Sequence, residues 1–180
     1  MKEVKIMSKI ISEYRAKPVM EGAGVLVNRV FGHGETTQFD PFLMLDYFET
    51  KEASDSPGFP WHPHRGIETI TYFLRGSGMH EDSMGNNGVI SAGELQWMSA
   101  GSGIYHQEMP QTSKDGYQGF QFWLNLPQKD KMKSPEYQYI NNGEMKSVSE
   151  TGSVVRVISG RYDGVTGPID KASLDVTIDR

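Results

Sequence analysis

Apolar and polar positions alternate along much of this chain, in short runs separated by glycine. The clearest run is residues 117–127 (YQGFQFWLNLP). There Phe120, Phe122, Leu124 and Leu126 share one face, and Gln121, Trp123 and Asn125 the other, the two-residue period of a strand. Residues 23–31, 153–162 and 172–180 alternate more loosely and also read as strands. Residues 39–50 (FDPFLMLDYFET) read as a buried strand running into a loop at 55–60. Residues 61–76 (WHPHRGIETITYFLRG) read as one long strand closed by Gly76-Ser77-Gly78. The Asn-Gly pair within 79–88 predicts a hairpin. Residues 89–110 hold two or three short strands punctuated by Gly93, Gly101 and Gly103. The polar stretch 128–150 holds a loop, an edge strand (EYQYI) and a short helical turn. Strands spaced by about 8–12 residues with glycine turns predict an all-β fold, a sandwich or barrel.

Composition agrees with that picture. Twenty glycines and nine prolines in 180 residues supply many tight turns. The length suits one ordinary domain, or one domain plus part of another. There are no cysteines, which excludes thiolate zinc sites, iron–sulfur clusters and cysteine catalysis. The net charge of −5 comes without any basic block, so no direct nucleic-acid contact is expected. No apolar run approaches the roughly 18 residues of a membrane helix. Residues 1–18 carry scattered charges and no apolar signal core, so no membrane contact is expected and the cytoplasm is the expected compartment.

Five histidines exist: His33, His62, His64, His80 and His106. His62 and His64 form a His-x-His pair, and two-residue spacing in a strand points both side chains the same way. Glu68 has the same parity and shares that face if the strand is regular. His106 and Glu108 repeat the spacing. Two neighbouring strands can thus aim three imidazoles and one or two carboxylates into one cavity. Such a donor set, without thiolate, suits Fe(II), Mn, Ni, Cu, Co or Zn and leaves coordination positions open. His33 and His80 read as ordinary core or surface residues. Trp61, Phe73, Trp97, Phe120, Phe122 and Trp123 could line an aromatic pocket, although most read as core packing. Arg65 reads as half of an ion pair. Asp40 and Asp46 are titratable, but nothing in the sequence brings them near the histidines.

The segments HPHRGIETITYFLRG and GELQWMSAGSGIYHQEMP resemble the two signature segments of the cupin superfamily, and their wording resembles the pirin family. FDPFLMLDYF, MHEDSMGNNG, GFQFWLNLP and VRVISG extend the likeness over roughly residues 20–165. The resemblance implies a double-stranded β-helix barrel of the jelly-roll type. It implies a metal-binding N-terminal cupin over residues 1–140, with 141–180 as additional strands and the start of a truncated second cupin. The pirin ligands carry over to His62, His64, His106 and Glu108, with Fe(II) as the expected metal. The wider cupin pattern takes its glutamate from the first motif, here Glu68. The pirin pattern favours Glu108, and Glu68 then serves beside the metal, orienting a ligand or bound water.

The implied activity is that of an iron-dependent dioxygenase of the quercetin 2,3-dioxygenase type, acting on a hydroxylated aromatic substrate with O2. Glu68 and Glu108 are the expected catalytic carboxylates, and Glu68 suits the base role if Glu108 is coordinated. The alternative is a non-enzymatic metal- or redox-sensing regulator that acts through protein partners. The C-terminal strand, if left unpaired, would be a sticky edge, so it is expected to pair within the chain or in a homo-oligomer.

Overall fold

The computed structural model describes residues 13–51, 56–111 and 116–169, and the backbone of 177–179. The expected strand 172–180 therefore lies partly outside the described residues. Among the described residues sixteen strands are formed. The first ten are β1 (Lys17–Glu21), β2 (Val25–Phe31), β3 (Phe42–Thr50), β4 (Phe59–His64), β5 (Ile67–Arg75), β6 (Ser77–Asp82), β7 (Asn87–Ser91), β8 (Leu95–Ser99), β9 (Ile104–Pro110) and β10 (Tyr117–Asn125). Then come β11 (Glu136–Ile140), β12 (Lys146–Glu150), β13 (Ser153–Val157), β14 (Arg161–Tyr162), β15 (Val165–Thr166) and β16 (Thr177–Asp179).

Two sheets make the barrel, as the cupin resemblance implies. One is seven-stranded, in the order β1-β2-β3-β10-β5-β8-β11, and the other is four-stranded, β4-β9-β6-β7. Side-chain alternation divides the large sheet cleanly. On its inner face β5 presents Ile67, Thr69, Thr71 and Phe73, and β10 presents Tyr117, Gln121 and Trp123. Val25, Val27, Phe48, Phe73, Ile90 and Tyr117 form one apolar cluster inside the barrel. Met98, Ala100 and Ile104 form another, with Ile67 and Tyr137 against it. Since Ile67 belongs to one cluster and Phe73 to the other, the polar pair Thr69 and Thr71 sits between two apolar plugs. Gly119 shows how tight this interior is. A Cβ there would stand 2.2 Å from the Tyr72 carbonyl oxygen and 2.6 Å from the Phe48 ring.

The outer face of the large sheet is buried too. Ile70, Tyr72, Leu95, Trp97 and Leu124 pack there against Ile140, Met145, Ile158 and Ile169. The segment after β11 thus covers this face, while Thr177–Asp179 pairs antiparallel with β13. Phe120, Phe122 and Trp97 belong to this outer core, as the bland reading of the aromatics expects. Trp61 is exposed.

One expectation fails. Residues 61–76 are two strands in two different sheets, not one long strand. The chain turns at Arg65-Gly66, where Gly66 adopts φ +68°, a backbone region that disfavours L side chains. The turn is locked by three bonds: Gly66 N–H donates to the Gly101 carbonyl, and the Gly66 carbonyl accepts from Leu126 N–H and Lys131 Nζ. Arg65 donates to Met132 Sδ at 3.6 Å rather than joining the expected ion pair. Space around Gly66 is ample, with the nearest Cβ contact at 3.5 Å, so conformational strain alone decides a substitution. Gly66→Ala is expected to cost about 1–2 kcal/mol, seen as a lower urea midpoint with unchanged slope.

Candidate metal centre

β4 and β9 lie side by side and antiparallel. Their register sets His62 opposite His106, and Phe59 opposite Glu108 after an irregularity in β4. His62, His64 and His106 each offer a ring nitrogen, and all three nitrogens lie within 4.8 Å of one another. The His62 and His64 Nε2 atoms approach to 3.1 Å. The His62–His106 and His64–His106 ring centroids stand 4.3 and 4.9 Å apart. The carbonyl of Pro60 accepts from His62 Nδ1 at 2.8 Å, which fixes the tautomer and leaves Nε2 with its lone pair.

The site is dry. His106 is fully buried, and neither of its ring nitrogens has a hydrogen-bond partner among the described residues. Burial, reinforced by the other imidazoles, pushes the pKa of both His64 and His106 down to about 3. Both rings are therefore neutral at ordinary pH and offer lone pairs without first losing protons. Converging, neutral, unpartnered nitrogens beside a carboxylate fit a divalent first-row cation.

Glu108 stands at the edge of this group, held from the large sheet. Thr71 Oγ1 donates to its Oε1 at 3.0 Å, and Gln96 Nε2 donates to the same oxygen. Thr71 also lies 2.6 Å from Gln121 Oε1, and the Tyr137 hydroxyl donates to Gln96 Oε1 at 3.3 Å. Residues of the large sheet thus fix one oxygen of a carboxylate carried by the small sheet.

Glu68 is not part of this group. The turn at Gly66 breaks the parity between β4 and β5, and Glu68 falls on the outer-face side, opposite Leu124 on β10 and Ser99 on β8. It is fully buried, with Lys133 Nζ at 3.9 Å, and that ammonium also lies 5.9 Å from the Trp97 ring. The structure thus sets Glu68 apart from the histidine group, on the side of the sheet away from where its expected role beside the metal would put it.

A cavity of about 140 Å³ opens on the histidines and Glu108. Phe59, Phe73, Trp123, Met44 and Met109 contribute apolar wall. The Trp123 and His64 rings meet edge to face at 5.0 Å. Arg29 and Asp46 add a polar wall: Arg29 Nε donates to Asp46 Oδ1 at 2.8 Å and Nη2 to Oδ2 at 2.7 Å. Asp46 thus does line the cavity, although its only clue in the sequence is its alternation with Met44 and Phe48 in β3.

His80 is the other residue that sequence reasoning passed over. It is fully buried, lines the same cavity, and sits 5.4 Å from His106 between ring centroids. The clue was present, because His80-x-Asp82 has the same spacing as His62-x-His64 and His106-x-Glu108. His33 lines the cavity and is exposed.

The model of the pirin family, described simply as Pirin, matches residues 24–124. This chain belongs to the pirin family. A pirin-like protein of Caulobacter vibrioides is 45% identical over 169 residues, covering 92% of this chain and 61% of that protein. A candidate quercetin 2,3-dioxygenase of Pseudomonas aeruginosa is 44% identical, covering 86% of this chain and 55% of that one. The crystal structure of a quercetin 2,3-dioxygenase from Acinetobacter baumannii superposes with a TM-score of 0.77 at 34% identity, covering 87% of this chain and 58% of that one. The chain therefore spans between about half and three-fifths of the length of these pirin relatives. The fold expected from the resemblance is the one observed.

Two outcomes follow from the geometry. Glu108→Gln is expected to lower metal affinity by about tenfold or more, and Glu68→Gln to leave it unchanged, as measured by chelator competition; the reverse order would restore Glu68 to the site. The second concerns the metal-free protein. Unfolded, His64 and His106 take up protons near 6.5, whereas in the fold they do so only near 3. Between these values the unfolded state binds more protons, so stability is lost as pH falls from 6.5 toward 3. The urea midpoint is expected to drop between pH 7 and pH 5, and by less in His106→Gln.

Proposed function

We propose that this chain holds Fe(II) through His62, His64, His106 and Glu108 and acts as a dioxygenase on a hydroxylated aromatic substrate. The observation that carries the reading is the convergence of three imidazoles and one carboxylate on a cavity with aromatic and thioether walls. The relatives named for quercetin dioxygenation support the substrate class.

When bound, the metal supplies Lewis acidity toward a substrate hydroxyl and redox access to O2. The chain's own residues do the rest. Phe59, Phe73 and Trp123 offer flat apolar surface against which an aromatic ring packs. The apolar clusters at either side exclude bulk water, which strengthens every charge interaction in the site. Thr71 and Gln96 hold Oε1 of Glu108, so its second carboxylate oxygen is the one left for the metal or for a substrate proton. With Glu68 on the other face, Glu108 is the carboxylate assigned in this reading to take up the hydroxyl proton.

The assay is direct. Protein loaded anaerobically with Fe(II) and then given quercetin and O2 is expected to consume the flavonol and release carbon monoxide. Absence of turnover with each of Fe, Mn, Ni, Cu and Co would remove the enzymatic reading.

A further inference from the structure

β6 pairs with β9 on the side away from β4, and its register sets His80 opposite Glu108 and Asp82 opposite His106. All four side chains are drawn into the barrel. His80 is 0% exposed and Asp82 4%.

Asp82 is saturated. Its Oδ1 accepts from the backbone N–H of Met84 at 2.9 Å and of Asn86 at 3.1 Å. Its Oδ2 accepts from Asn86 Nδ2 at 2.9 Å and faces His80 Nε2 at 3.1 Å. A carboxylate surrounded by N–H donors is an acceptor on every side, so the neutral His80 ring, the form that binds a metal, carries its proton on Nε2. Its Nδ1 therefore bears a lone pair, and this atom is buried without a partner among the described residues. A buried polar atom in that condition asks for an occupant.

The surroundings hold the ring in place. Tyr137 stacks on His80 at 4.6 Å between centroids and 17° between planes. The same Tyr137 reaches Glu108 through Gln96. Ligand atoms of His80, His106 and Glu108 all lie within 4.8 Å of one another. Neither ring nitrogen of His106 has a hydrogen-bond partner among the described residues, so His106 is available to an ion held by either set.

We infer that His80, His106 and Glu108 form a second ligand set for a divalent first-row cation, overlapping the first at His106 and Glu108. The two sets share residues, so they hold one ion between them, and Asp82 fixes the imidazole tautomer that makes His80 a ligand. The inference rests on the metal-binding reading above, deepening the same site.

Co(II) titration followed by visible absorption, with metal analysis after desalting, tests it. Wild-type protein is expected to hold one equivalent. The double variant His62→Ala/His64→Ala is expected to retain one equivalent more weakly, and adding His80→Ala to abolish binding. Asp82→Asn on the double background is expected to weaken binding about 10–100-fold. A double variant with native circular dichroism that binds no Co(II), or a triple variant that binds like the double, overturns the second set while leaving the first intact. A wild-type chain that binds no metal overturns both. If the double variant does not fold, the comparison is made on His64→Gln: adding His80→Ala there is expected to reduce affinity at least about tenfold, and no reduction overturns the inference.

Discussion

The site depends on one register, the antiparallel pairing of β4 with β9. That pairing sets His62 across from His106, and strand alternation then brings His64 and Glu108 to the same interior. A one-residue slip would turn every one of these side chains to the outside of the barrel. Register is held because the interior is specified at both ends. Ile104 on β9 belongs to one apolar cluster, and Phe59 on β4 packs against the other. The ligands therefore lie where the hydrophobic pattern leaves a polar gap.

That gap is polar on both sheets. Thr71, Gln96 and Gln121 face it from the large sheet; Thr71 and Gln96 hold Glu108, and Gln121 lies against Thr71, all without competing for a cation. His64 and His106 face it from the small sheet, neutral because burial opposes their protonation. A bound cation would be the only strong positive charge among these groups, apart from Arg29. Arg29 is already matched by Asp46 at 2.7 Å and Glu21 at 2.7 Å. The wall around the histidines thus has its Arg29 charge already matched, which suits a cation there, and is otherwise apolar.

Much of this was legible in the sequence, because strand period and His-x-His spacing are local. The two faces of residues 117–127, the edge strand at 136–140 and the pairing of two dyads all follow from alternation. Two features were not legible, for opposite reasons. The break at Gly66 is set by long-range bonds to Gly101, Leu126 and Lys131, so the parity of β4 does not carry through it to Glu68. His80 was within reach of the same parity rule, yet MHEDSMGNNG reads first as a turn. The hairpin does form there, between β6 and β7, but Asn87-Gly88 begins β7, and the turn is instead built by Asp82 accepting from Met84 and Asn86. The residue that makes the turn is also the one that orients His80.

The central claim is that the barrel holds a metal through nitrogen and carboxylate ligands. Protein prepared without chelator or nickel resin, reconstituted with Fe(II) under argon and desalted, measures it most directly. The account predicts about one iron per chain, with an X-ray absorption first shell of nitrogen and oxygen only and clear imidazole scattering. A folded chain that leaves the column without metal, or a first shell lacking imidazole, would contradict it.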